Sequence, residues 1–68
     1  MRSWLREIRL SQEITQELVA ENVGISRAYY TRIENGKRGE PLPVDTAKKI
    51  AAVLNFDWKL FYPDEEEG

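Results

Sequence analysis

The sequence predicts an all-α single domain of five helices, and three observations predict it. Its 68 residues leave room for one domain and no second. Apolar residues recur at helical spacing between residues that start and stop helices, and no run alternates with period two long enough to make a strand. Cysteine and histidine are both absent, so neither disulfides nor the usual zinc sets can staple so short a chain. Stability must then come from apolar packing between helices, with a partner subunit to complete it where one is present.

Each element has a local cause. The first helix covers Ser3–Ser11, with Trp4, Leu5 and Ile8 on one face. Thr15 has the hydroxyl of an N-cap for a second helix, Gln16–Val23, whose first turn suits Gln16 and Glu17. Val19, Ala20 and Val23 form its inward stripe, and Gly24 follows as the residue able to take positive φ. Ser26 is a second N-cap, opening a third helix over about 26–35 that ends at Asn35-Gly36. At about 100° per residue, Tyr29, Tyr30 and Ile33 cluster on one side of it, and Arg27, Ala28, Thr31 and Arg32 on the other. Pro41 and Pro43 stiffen the loop that follows. A fourth helix, Val44–Leu54, turns Val44, Ala47, Ile50, Ala51 and Leu54 inward. Asn55 can cap it in the left-handed region, and Asp57 caps a fifth, short helix over 58–62 that Pro63 stops. Residues 1–63 form the domain, and 64–68 are an acidic disordered tail.

Two short helices joined by Gly24, Ile25 and Ser26 make a helix-turn-helix. Ala20 lies where the two helices approach closest, and a larger side chain would part them. Ile25 and Ile33 fill the angle between them. The outer face of the third helix is left projecting, at a width that suits a DNA major groove of about 12 Å.

Charge distribution agrees with that face better than the total does. The formal charge is −2, yet Asp64, Glu65, Glu66 and Glu67 account for four of the twelve acids, and without them it becomes +2. Segment 27–38 carries Arg27, Arg32, Lys37 and Arg38 against Glu34, and segment 1–9 carries Arg2, Arg6 and Arg9 against Glu7. Phosphate attraction is felt within a Debye length of about 8–10 Å, so local excess outweighs the sum. The tail reads first as a solvated, frayed terminus. A second reading has it repelling DNA from the wrong face, competing for the basic patch or holding a protein partner.

The segments Thr15-Gln16-Glu17, Ala20, Val23-Gly24-Ile25-Ser26 and Arg32-Ile33-Glu34-Asn35-Gly36-Lys37-Arg38 resemble the Xre family of phage-repressor and Cro-like domains across residues 3–62. The resemblance implies a phage-repressor-like DNA-binding fold that binds double-stranded DNA, with Gln16 donating to a phosphate and bracing the third helix. It implies base reading by Arg27, Ala28, Thr31 and Arg32. Arginine matches guanine O6 and N7 bidentately, and Ala28 and Thr31 have methyl groups to offer thymine. Asn35, Lys37 and Arg38 would hold phosphates and set register. Tyr29, at the edge of the hydrophobic face, either stays with it or reaches a phosphate through its hydroxyl. Arg9 and Glu34 stand where the family places an ion pair joining the first helix to the third, which we read as structural.

Trp58, Leu60, Phe61 and Tyr62 are too apolar for one short helix to bury. Trp58 and Phe61 are expected under the first and fourth helices, and the remainder leaves an apolar patch. The family often dimerises near here, which implies a homodimer through Asn55, Phe56, Asp57 and Leu60. Leu18 falls on the solvent side of its helix. Glu13 occupies a turn where the family often has glycine, which implies a turn of different shape, and the loop 39–43 is slightly longer than usual. Lys48, Lys49 and Lys59 read as plain surface.

No pair of carboxylates, lysines or hydroxyls shows a catalytic spacing, so an enzyme is not expected. No cofactor or metal is implied, and so small a core has little room for an effector. Neither a signal peptide nor a membrane span is visible, which makes the cytoplasm the default location. The expected function is a sequence-specific transcriptional regulator, of repressor type, acting as a dimer on a near-palindromic operator. The competing readings are a protein-interaction module, an antitoxin-type regulator or the N-terminal piece of a longer repressor. Met1 and the tapering acidic end favour a complete small protein.

Overall fold

Hydroxyl caps and left-handed residues divide the chain as their chemistry requires. Thr15 Oγ1 accepts from the Leu18 N–H at 3.1 Å, and Ser26 Oγ accepts from the Tyr29 N–H at 3.0 Å. Each satisfies one of the orphan donors that open a helix, worth about 1 kcal/mol apiece. At the other ends Gly24 (φ +90) and Asn55 (φ +61) take the left-handed conformation and return their N–H groups to Ala20 and Ala51. The computed structural model describes residues 2–36 and 42–62, and contains α1 (Ser3–Ser11), α2 (Gln16–Val23), α3 (Arg27–Asn35) and α4 (Val44–Leu54). The last element is a 3-10 turn, Trp58–Phe61, shorter and tighter than the fifth α-helix expected over 58–62. Asp57 caps it through the Lys59 N–H at 3.0 Å.

Helix α2 lies between α3 and α4, α1 packs on α3, and the 3-10 turn packs on α4. Leu5, Val19, Ala20, Val23, Tyr30, Ile33, Ala47, Ile50, Ala51, Leu54 and Phe61 fill the interior, joined by Leu42. These are the inward stripes that helical periodicity marks, but Trp4 and Ile8 are half-buried and two residues of those faces, Tyr29 and Val44, are exposed. Val44 is 45% exposed. It is the first residue of α4, and periodicity alone misplaces it.

Glu13 takes φ +57. This is the left-handed region that glycine enters freely, taken here by a residue with a β-carbon. The cost is steric, on the order of 1 kcal/mol for a side chain with a β-carbon.

A cluster of rings joins α1 to the segment that follows α4. Trp4 of α1 meets Phe56 and Phe61 edge-on at 5.5 and 5.2 Å between centroids, and Phe56 and Phe61 lie 5.8 Å apart. Trp58 is half-buried against Tyr62, with the Lys48 ammonium 5.2 Å over its ring. Lys48 is thus a cation on an aromatic face and not a bare surface charge. Tyr62 Oη donates to the Leu42 carbonyl at 2.7 Å, tying the residue after the 3-10 turn to the segment before α4.

Two long side chains finish helix ends from far along the chain. Arg2 donates its backbone N–H to the Glu34 carbonyl at 2.8 Å and its guanidinium to the Ile33 carbonyl, at the C-terminal end of α3 where the helix dipole favours a cation. It is buried, with the Phe61 ring 5.5 Å beneath it. Gln12 Nε2 donates to the Leu54 carbonyl at 2.7 Å and closes α4 in the same way.

Candidate nucleic-acid interface

The candidate site is built on α3, and a buried polar network sets where α3 sits. Glu34 faces inward, 1% exposed. Arg9 Nε donates to its Oε2 at 2.6 Å and Arg9 Nη2 to its Oε1 at 3.3 Å, while Arg9 Nη1 donates to the Ile14 carbonyl at 2.9 Å. Tyr30 Oη donates to Oε2 at 2.7 Å and Gln16 Nε2 to Oε1 at 3.0 Å. Thr31 Oγ1 then donates to Gln16 Oε1 at 2.9 Å. One carboxylate therefore joins α1, the first residue of α2 and α3, and Arg9 and Gln16 extend the network to Ile14 and Thr31. No buried polar side-chain atom among the described residues lacks a partner.

The protonation states follow from these contacts. Burial alone would raise the Glu34 carboxyl, but donors from Arg9, Tyr30 and Gln16 outweigh it and hold the group below the usual carboxylate range. The Arg9 guanidinium is pushed up by its bond to Glu34, against the effect of burial. Burial first, and the neighbouring carboxylate second, raise the Tyr30 phenol well above its ordinary value. At neutral pH the network is an ionised carboxylate facing donors only.

With α3 anchored on that side, its other face is presented outward. Arg27, Ala28, Arg32 and Asn35 are exposed, and Thr31 is half-buried at the edge next to Gln16. Tyr29 is 37% exposed, on the border between the two faces, whereas Tyr30 is in the core. Gln16, at the start of α2, is half-buried beside the same face. One of its two amide hydrogens goes to Glu34, which leaves a second for another acceptor. Lys37 and Arg38, expected to hold phosphates, and the acidic tail 64–68 lie outside the described residues.

The basic reading of the N-terminal segment needs correction. Its local excess counted three arginines, but Arg2 and Arg9 are buried and engaged with α3. Only Arg6 of the three is exposed. Among the described residues the exposed cations are Arg6 of α1, Arg27 and Arg32 of α3, Lys48 and Lys49 of α4, and Lys59. Sequence patterns had no means of finding Arg2, because its partner carbonyl lies 31 positions away.

Of the residues expected at a dimer contact, Asn55, Asp57 and Leu60 are exposed. Phe56 is half-buried in the ring cluster with Trp4 and Phe61, so it serves the domain's own packing as well. Leu18 is exposed, on the solvent side of α2. Among the described residues no helix is long and apolar enough to cross a membrane, and no acidic cluster could hold a metal ion.

The HTH_3 family model, a helix-turn-helix domain, matches residues 5–61. The chain is 50% identical over 64 residues to the uncharacterized HTH-type transcriptional regulator YqaF of Bacillus subtilis, covering 94% of this chain and 82% of that one. It is 42% identical over 55 residues to the HTH-type transcriptional repressor RghR of the same organism, covering 81% of this chain but 40% of the repressor. An uncharacterized HTH-type transcriptional regulator of Archaeoglobus fulgidus is 40% identical over 68 residues, 98% of this chain and 94% of its own. No solved structure gives a significant match. Motif, packing and relatives agree, and the chain belongs to the Xre-like helix-turn-helix family of DNA-binding transcriptional regulators.

Proposed function

We propose that this protein is a repressor that binds a near-palindromic operator as a homodimer, with α3 of each protomer in the major groove. The carrying observation is the outward face of α3, where Arg27 and Arg32 flank Ala28 and Thr31 on a helix held in place by the buried Glu34 network. A fixed helix can register side chains against base edges, which a loosely held one cannot. Arg27, Ala28, Thr31 and Arg32 read the bases. Gln16, Tyr29, Asn35, Lys37 and Arg38 hold phosphates. The repressor assignment takes support from the relative named a transcriptional repressor. Two-fold symmetry puts the half-sites about 34 Å apart, one helical turn, with Asn55, Asp57 and Leu60 at the protomer contact.

Selection of duplexes from a random pool, followed by affinity at two salt concentrations, tests the proposal. Enrichment of an inverted repeat that is lost on Arg27→Ala or Arg32→Ala is the expected result. Salt-sensitive binding without enrichment would reduce α3 to phosphate contact. Absence of binding at low salt would turn the search to a protein partner.

A further inference from the structure

The polar network around Glu34 has a direction, and that direction reaches the DNA-facing side of α3. The carboxylate receives Arg9 Nε at 2.6 Å and Tyr30 Oη at 2.7 Å on Oε2. Arg9 Nη2 at 3.3 Å and Gln16 Nε2 at 3.0 Å reach Oε1. An ionised carboxylate offers about four acceptor sites and has no hydrogen to give. Glu34 is saturated by these four donors and tolerates nothing else at its two oxygens.

Gln16 must therefore turn its amide nitrogen toward Glu34 and its amide oxygen away. That oxygen can meet Thr31 only if the threonine donates, and Thr31 Oγ1 does so at 2.9 Å. A hydroxyl has one hydrogen, and here it is spent inside the protein. We propose that Glu34, buried and out of reach of DNA, is a positioning residue that sets the hydrogen-bonding sense of the reading face: acting through Gln16, it leaves Thr31 to read through its methyl group. The inference rests on the base-reading role of α3 proposed above. Thr31 then matches the thymine methyl and cannot donate to guanine O6 or N7 or to thymine O4. Its oxygen keeps only acceptor capacity, for adenine N6 or cytosine N4, and Thr31→Val separates that from reading by the methyl. Gln16 keeps its second amide hydrogen for a phosphate.

The test is operator selection with the wild type, Thr31→Val, Thr31→Ser and Glu34→Gln, each checked for cooperative melting. Valine keeps the methyl and loses the hydroxyl, and serine does the reverse. Thr31→Val is expected to keep the wild-type preference at the base pair that residue 31 faces. Thr31→Ser is expected to weaken it by roughly fourfold, the worth of one buried methyl group. In Glu34→Gln the new amide can donate to the Gln16 oxygen, reversing the chain and freeing the Thr31 hydrogen. Preference at that one pair should then move toward a hydrogen-bond acceptor, whereas a purely structural role would lower affinity evenly at all positions. Serine keeping the preference while valine loses it would overturn the inference. So would both variants keeping it, both losing it, or an even loss in a folded Glu34→Gln. Should Glu34→Gln not fold, the two Thr31 variants decide alone. A wild type that enriches no sequence would instead remove the DNA-reading proposal itself.

Discussion

Replacing Arg9 by methionine separates what the buried pair does for the fold from what it does for the site. Met approximates the arginine stem, so the change removes charge and donors while keeping much of the packing. Three bonds are lost, two to Glu34 and one to the Ile14 carbonyl, from a pair whose side chains are 8% and 2% exposed. Solvent cannot replace them. Removing one partner of such a pair costs about 3–5 kcal/mol, because the other charge stays buried. A chain of this size has roughly 3–10 kcal/mol of stability in total, so Arg9→Met should be marginal or unfolded at physiological temperature.

The pH dependence carries a second signature. In the wild type the Glu34 carboxyl is held below its ordinary value, because the donors outweigh burial. Its contribution is therefore present above the unfolded-state value and is lost as pH falls from about 5 downward. Without Arg9 only the Tyr30 and Gln16 donors oppose burial, so the lowering of the Glu34 carboxyl is weakened. The variant therefore loses less stability than the wild type when Glu34 takes up a proton. Urea unfolding of both proteins from neutral to mildly acidic pH should show a gap that narrows on acidification. A gap under about 1 kcal/mol at neutral pH, or one that widens on acidification, refutes the reasoning.

Three further substitutions test individual devices. Gly24→Ala should destabilise by about 1–2 kcal/mol in thermal melts through backbone strain at φ +90, since nothing lies within 4 Å of the added carbon. Glu13→Gly should do the opposite, stabilising by up to about 1 kcal/mol, because the left-handed conformation at φ +57 then costs nothing sterically. Tyr30→Phe removes a 2.7 Å donor from Glu34 and should cost about 1.5–3 kcal/mol, the range for a bond to a charged group, in urea melts.

Helix boundaries were legible because their causes are local. Thr15, Ser26, Gly24, Asn55 and Asp57 act on backbone groups a few residues away, and each does so in the structure. The facing surfaces of α2 and α3 follow from periodicity for the same reason. What escaped depends on distant partners. Gln12 meets Leu54 across 42 positions, and Arg2 reaches Ile33 across 31, so neither spacing nor composition points to them. Counting Arg2 and Arg9 as surface charge failed on this ground, since net charge per segment is blind to burial. The pairing of Arg9 with Glu34 came from family resemblance, and spacing alone would not have paired them. Gln16 was expected to brace α3, but its link to Thr31 through the amide oxygen needs coordinates to be seen. The fifth helix is a 3-10 turn over Trp58–Phe61, a distinction that apolar spacing over five residues does not make.

Methylation interference on a selected operator tests major-groove reading by α3 most directly. Methyl groups placed on guanine N7 project into the major groove, and those on adenine N3 into the minor groove. If Arg27 and Arg32 read guanines, N7 methylation at one or two positions per half-site should block binding, and one such position should become indifferent in Arg27→Ala or Arg32→Ala. Interference confined to adenine N3, or none in either groove, would contradict a protein that reads its site with the outer face of α3.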